Sequence, residues 1–213
     1  MRFVPASRQV LAEVLLAAGP TAATLCAGWE TRHLAAHLVL REHSPLAAGI
    51  LVRQLAQRME RELENLAAEA LTPAGFATLV RRFEAGPGRF SPLAIPPLDQ
   101  ATNLMEYFIH TEDVRRASDR WVPRALDARY SELLWRNLIG RAALMYRGSD
   151  VGIILVRPDG IRHVVRKAGT SVAISGAPSE LVLHASGRGA QALVTFEGSP
   201  EAIALLATAH LSL

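Results

Sequence analysis

Along the first two thirds of the chain, apolar residues recur every three or four positions. Along the last third they alternate or run together. The pattern predicts helices first, then strands mixed with short helices. Over 7–18, Val10, Leu11, Val14 and Leu15 share one helical side, and Gly19-Pro20 ends that helix. A loop with Thr21, Thr24, Cys26 and Gly28 leads to a second helix, from near Thr31 to His43, before Ser44-Pro45. A third, near 51–69, carries Leu51, Leu55, Met59 and Leu63 with charges between them. Thr72-Pro73 reads as a cap and first-turn proline, opening a fourth helix to about Glu84. The four prolines and two glycines of 86–97 read as a loop. Asp99 is expected to cap a long helix over 99–119, and another follows over 127–146.

The pattern changes at Arg147-Gly148-Ser149-Asp150. Val151 to Val156 is a β-branched run, Pro158-Asp159-Gly160 is a turn, and Ile161 to Arg166 alternates. Ser171–Ser175 and Ala192–Phe196 read as further strands, Pro178–Ala185 and Pro200–Ala209 as helices. The expected class is α+β: an all-helical domain over 1–146, then a small α+β domain over 147–213.

With 213 residues, half of them hydrophobic and 20% charged, the chain has ample material for a core. Of the 23 basic side chains, Lys167 is the one lysine. A net charge of +3 with a pI near 9.6 therefore reflects arginines that never titrate rather than a basic patch. Aromatics are 6% and are not interleaved with basic residues, so nucleic acid is not an expected partner. No apolar run reaches 18 residues, and the amino-terminal segment carries Glu13 within its apolar stretch. No membrane contact and a cytoplasmic location are expected. The single Cys26 forms no internal disulfide and excludes sites built from several thiolates. By itself it reads as a small buried hydrophobe.

The helix over 99–119 carries the chemistry. Leu104, Met105, Tyr107, Phe108 and Ile109 make it apolar almost all round, which predicts burial. Yet Asn103, Glu106, His110 and Asp113, at steps of three, four and three, share one face. Buried together, carboxylates and an imidazole must pair or hold a cation. Glu106 and His110, about 6 Å apart at Cβ, can chelate one ion; the plainer reading is an intrahelical pair. A third donor comes from the second helix, where His37 sits among apolar residues with His33 one turn earlier. Zinc suits nitrogen and oxygen donors in a tetrahedron, and nickel or iron accept the same set. Asp113 can receive the other N–H of a ligand histidine. His33, His163, His184 and His210 are expected at the surface, and His43 as a residue at a helix C-terminus, favoured there by the dipole.

Gly28-Trp29, Arg32 and Leu34-Ala35-Ala36-His37-Leu38-Val39-Leu40-Arg41-Glu42 resemble the second-helix motif of the mycothiol-dependent maleylpyruvate isomerase family, part of the DinB-like metal-binding superfamily. Glu106-Tyr107-Phe108-Ile109-His110 with Glu112-Asp113-Val114-Arg115-Arg116-Ala117 resembles its second metal motif, and the pattern is similar to that of an uncharacterised actinobacterial subgroup of metal-binding proteins. The resemblance implies a DinB-like four-helix bundle followed by a sterol-carrier-like domain. It implies a metal triad of His37, Glu106 and His110, and an arginine from the C-terminal domain in the active site. Ser186-Gly187-Arg188-Gly189 makes Arg188 the candidate for that arginine. Position 33 departs from the family, which carries an acidic residue there; a metal-bound His33 would close the fourth position.

The leading expectation is a zinc enzyme working with a low-molecular-weight thiol, mycothiol or a relative, and a small electrophilic substrate, in transfer or isomerisation. Asp113 would order the ligand histidine, and Arg188, or Arg41 or Arg115, would hold a carboxylate. The alternatives are a metal-dependent hydrolase and a non-enzymatic protein that binds metal, lipid or another small molecule. The chain is expected to be a monomer or a homodimer.

Overall fold

A computed structural model of the chain describes residues 3–43, 53–87 and 96–211. These residues form eight α-helices and a four-stranded sheet, a mixed α+β fold as the pattern predicts. They gather into two compact units, Met1–Val122 and Pro123–Leu213. Among the described residues no helix is long and apolar enough to cross a membrane.

The first unit holds α1 (Phe3–Ala18), α2 (Thr31–His43), α3 (Arg53–Glu69), α4 (Pro73–Glu84) and α5 (Pro96–Arg115). Thr72 caps α4 as expected: its hydroxyl accepts from the Gly75 amide at 3.1 Å, and Pro73 follows. Helix α5 takes in Pro96-Pro97, which the sequence reading gave to a loop. Proline is tolerated in a first turn, because the amide it lacks has no partner inside the helix there. Residues 88–95 of that expected loop, with Ser44-Pro45, Leu51 and the side chain of Leu55, lie outside the described residues. α5 stops at Arg115 rather than 119.

Helix α1 packs on α4 and α5, and α2 packs on α3 and α4. The core joins Leu11 and Leu15 of α1, Leu34 and Leu38 of α2, Phe76 and Phe83 of α4, and Leu104 and Phe108 of α5. A polar knot runs through it. Arg8 of α1 pairs with Glu42 of α2 and donates to the Phe83 carbonyl at 3.0 Å. Its guanidinium also lies over the Phe83 and Tyr107 rings, at 5.2 and 5.0 Å. The Tyr107 hydroxyl of α5 donates to the second oxygen of Glu42.

The second unit opens with α6 (Ala128–Met145), capped by Asp127, whose carboxylate accepts from the Arg129 and Tyr130 amides. The change of composition near residue 147 marks where strands begin, not where this unit begins: α6 packs against elements that follow it in the chain. The elements that follow are β1 (Gly152–Val156), β2 (Arg162–Arg166), β3 (Ser171–Ser175), α7 (Pro178–Ala185), β4 (Thr195–Glu197) and α8 (Pro200–Ala207), and α6 packs on α7 and β2. The sheet order is β2-β1-β3-β4, with β1 and β3 parallel and the outer pairs antiparallel. The buried apolar side chains of the sheet are Ile153, Leu155, Val172 and Ile174, alternating along β1 and β3 as one covered face requires. α7, buried along its length, packs on α6.

His184 on α7 is buried, against the surface position expected. Its Nδ1 is hydrogen-bonded with the Tyr146 hydroxyl at 2.9 Å, and its ring stacks on Tyr146 and meets Phe196 at 5.4 Å. Burial without a counter-charge pushes its pKa down from 6.5 to about 4. His163 is partly exposed on β2 and His210 is exposed, as expected.

Two outcomes follow from this packing. Arg8→Met leaves the Glu42 carboxylate buried without its cation and should cost about 3–5 kcal/mol in urea unfolding, much of it recovered in Arg8→Met with Glu42→Leu. His184 is neutral when folded and titrates near 6.5 when unfolded. Stability present above pH 6.5 is therefore lost as pH falls toward 4, by about 3 kcal/mol. His184→Gln, which keeps an acceptor for Tyr146, should remove that part of the slope; an unchanged slope would contradict the assignment.

Candidate metal centre

Helices α2 and α5 are joined by long polar side chains that run antiparallel to each other. His37 meets Glu106, and one turn along α2 Arg41 meets Asn103, one turn back along α5. This alignment gives the polar stripe of α5 its partners. Glu106 Oε1 is the hub: His37 Nε2, His110 Nε2 and Arg41 Nε each lie 3.2 Å from it. The donor atoms of His37, Glu106 and His110 all fall within 4.8 Å of one another.

His110 is fixed from behind. Its Nδ1–H donates to Asp113 Oδ2 at 2.8 Å, which leaves Nε2 facing Glu106 and His37. Asp113 is fully buried, and the same oxygen accepts from the Cys26 thiol at 3.2 Å. Burial works against the charge on His110, but hydrogen bonds with Asp113, Cys26 and Glu106 outweigh it and hold its pKa well above the ordinary value. Burial likewise opposes the charge on Glu106, yet hydrogen bonds from His110 and His37 and the nearby charges of His110 and Arg41 hold it well below the usual carboxylate range. The cluster thus favours a positive charge between Nε2 and Oε1, where a proton or a metal ion can supply it.

The donors fit zinc. Two ligands about 2.0–2.1 Å from a tetrahedral ion stand about 3.3 Å apart, close to the 3.2 Å between Glu106 Oε1 and each imidazole. The Asp113–His110 contact is the carboxylate–histidine pairing that orients metal-binding imidazoles. Cys26, His110 and Asp113 form a second group of potential donors, in which Asp113 Oδ2 lies 2.8 Å from His110 Nδ1 and 3.2 Å from Cys26 Sγ.

The loop between α1 and α2 completes the site. Gly19 and Gly28 take positive φ values of 79° and 77° at its corners, where glycine carries no steric cost. The Leu25 amide donates to the Asp113 carbonyl at 3.0 Å, tying the loop to α5. Thr24 Oγ1 accepts from the Cys26 amide and donates to the Trp29 carbonyl. Cys26 is thereby set against Asp113, and Trp29 against His37 at 5.3 Å between ring centroids. The sequence reading left Cys26 as a small hydrophobe; it is a half-buried hydrogen-bond donor of the cluster.

The structure brings together His37, Glu106, His110 and Asp113, with Arg41 beside them. His33 is buried rather than exposed and turns elsewhere: Nδ1 accepts from the Glu30 amide at 3.1 Å, and Nε2 lies 3.9 Å from Glu64. Among the described residues it belongs to no donor group. His43 bonds to the Val39 carbonyl at the end of α2. Arg115 is engaged by Glu112 and the Val122 carbonyl. Arg188 belongs to the second unit, where it donates to the Ser186 carbonyl.

No protein-family model matches this chain, and no curated protein or solved structure is similar enough to count as a match.

The assigned His110 tautomer has a direct signature. Its Nδ1 proton should appear in the NMR spectrum of the metal-free protein as a slowly exchanging, downfield resonance, and Asp113→Asn should move it upfield and speed its exchange. A proton-free Nδ1 in wild type would overturn the assignment.

Proposed function

We propose that the first unit binds one divalent metal ion, zinc by preference, through His37, Glu106 and His110, and acts on a small electrophile with a low-molecular-weight thiol. The observation that carries the metal is the pair of 3.2 Å contacts from two imidazoles to one carboxylate oxygen, with Asp113 behind His110. Three protein ligands leave a fourth position for a small molecule, which is the composition of a catalytic zinc site. Zinc supplies a Lewis acid that favours the thiolate form of a thiol at neutral pH. The thiol reading, mycothiol or a relative in transfer or isomerisation, draws on the two sequence motifs that resemble the maleylpyruvate isomerase family, and those motifs carry the three donors. The same resemblance supports a DinB-like bundle and a sterol-carrier-like second domain.

The chain's own residues have separate tasks. His37 and His110 offer neutral nitrogen from two helices, and Glu106 offers the single negative charge. Asp113 holds the Nδ1 proton of His110, so that the ring presents its Nε2 lone pair. Arg41 holds Glu106 in place. The fully buried Asn103 receives the Arg41 guanidinium and fixes its direction.

Elemental mass spectrometry of protein purified without a His-tag should find about one zinc per chain, lost in His110→Ala and in His37→Ala. Consumption of an electrophile should require added thiol and should fall to background in His37→Ala. Turnover of esters or amides without thiol would move the reading to hydrolysis. No metal in wild type would reduce the cluster to a buried hydrogen-bond network and defeat the proposal.

A further inference from the structure

We propose that the open β2 edge of the sheet is a docking site for an extended acidic segment of a partner protein, which adds to β2 as a further strand. This edge lies in the second unit, apart from the metal centre. The charge of the chain points there first. Residues 1–122 carry 13 basic and 13 acidic side chains, and residues 123–213 carry 10 and 7, so the whole excess of +3 lies in the second unit. Arg162, Arg166 and Lys167 gather on β2 and at its end, and no acidic residue occurs between Asp159 and Glu180. β1 beside them has none. Glu132 of α6, the helix packed on β2, and Asp159 of the preceding turn are taken by Arg157. Among the described residues none of the three cations takes part in an ion pair.

The main chain of β2 is open on that side. β2 is an end strand, antiparallel to β1. The Arg157 amide donates to the Ile161 carbonyl at 2.9 Å, which fixes the alternation of the ladder. His163, opposite Leu155, then bonds inward to β1. Arg162 and Val164, opposite Val156 and Ile154, turn their N–H and C=O groups outward. Among the described residues no other segment bonds to that edge. α6 covers one face of β2, where Trp135 meets His163 at 6.4 Å between ring centroids. Arg162 and Val164 are on the other face, exposed to solvent, Val164 by 50%.

An open edge accepts any strand unless its side chains choose. Here they disfavour a second copy of the chain. Pairing of β2 with itself about Val164 sets Arg162 of one copy against Arg166 of the other, and like charges directly opposite are destabilising. The same cations favour an incoming strand with a carboxylate toward each of them and an apolar, β-branched residue against Val164. On one face of such a strand, at every second position, the side chains read acidic, apolar, acidic. Main-chain bonds supply the affinity, and the two arginines supply the selectivity. The register shift between Ile153 and Ile154 ends the regular part of the edge near Val164, which keeps the added strand short.

The test titrates a capped peptide, Thr-Glu-Thr-Val-Thr-Glu-Thr, into the full isotope-labelled chain and follows the backbone amides by NMR. Shifts should be confined to β2 and its flanks, and the Arg162 and Val164 amides should exchange more slowly with peptide bound. Replacing both Glu of the peptide by Lys, or N-methylating its bonding amides, should weaken binding at least about tenfold. Arg162→Glu with Arg166→Glu should reverse the preference between the Glu and Lys peptides. Val164→Pro removes an outward N–H and none that β1 uses, and should weaken the Glu peptide at least about fivefold. Equal affinity for the Lys or the N-methylated peptide, shifts away from β2, or no shift at millimolar peptide would overturn the proposal. So would protection of the Arg162 and Val164 amides that grows with protein concentration before peptide is added, the mark of an interface between copies. If Val164→Pro does not fold, the charge reversal and the N-methylated peptide decide.

Discussion

The Glu42 carboxylate is buried, and a buried carboxylate must be answered on every side. Arg8 answers it from α1 and Tyr107 from α5, while Arg8 also reaches the end of α4 at the Phe83 carbonyl. One charge therefore ties four helices together. It sits one residue beyond Arg41 on α2, and Tyr107 sits one residue beyond Glu106 on α5. The knot thus fixes the distance and register of the two helices at the level where their polar side chains cross. An apolar seam between α2 and α5 would tolerate sliding, since hydrophobic contact is not directional. Hydrogen-bonded rungs do not tolerate it, because their strength falls steeply with distance and angle. The 3.2 Å contacts of Glu106 with two imidazoles on different helices depend on that register.

The register also explains the order of burial. The α5 stripe descends from Glu106 to His110 to Asp113, and the loop carrying Cys26 closes over its lower end. At the bottom, Asp113 accepts two donors, so its charge stays buried and satisfied. At the top, Glu106 shares its charge among two histidines and Arg41 and keeps some solvent contact. The arrangement keeps one carboxylate at depth, held by two donors, and a second, shared with Arg41, nearer the surface.

Much of this was legible in the sequence, and the remainder has identifiable causes. Glu106 and His110 stood out because a four-residue step puts two polar groups on one patch of an otherwise apolar helix. His37 stood out because its neighbours on α2 are apolar. Those are local signals, and the structure brings these residues together. Asp113 was expected behind a ligand histidine for the same reason of spacing. The contributions of Cys26, Trp29 and Arg41 depend on how a loop folds back and how two helices align, and no periodicity records that. The start of α5 was misplaced because Pro96-Pro97 suits both a loop and a first helical turn. The burial of His33 and His184 was missed because histidine is polar in composition but is buried wherever one nitrogen finds a partner, here the Glu30 amide and the Tyr146 hydroxyl. The change in pattern near 147 marks where strands begin, while the compact units meet at 122/123, because α6 packs against α7 and β2 downstream.

Two buried histidines in this chain show what separates a candidate site from ordinary packing. Both carry one hydrogen bond at Nδ1 and aromatic rings close by. His184 has Tyr146 as its partner and no opposite charge in contact, so burial alone acts and the ring stays neutral. His110 is buried too, yet the balance reverses, because Asp113 and Glu106 lie on either side of the ring. The first environment stabilises a packed neutral side chain. The second stabilises a cation in a defined place, the gap between Nε2 and Oε1, and His37 on another helix faces the same gap. A proton there satisfies two of these groups at once. A divalent ion would satisfy all three, and it is this third donor, held by the antiparallel register of α2 against α5, that makes a buried ion pair into a group able to hold a metal ion.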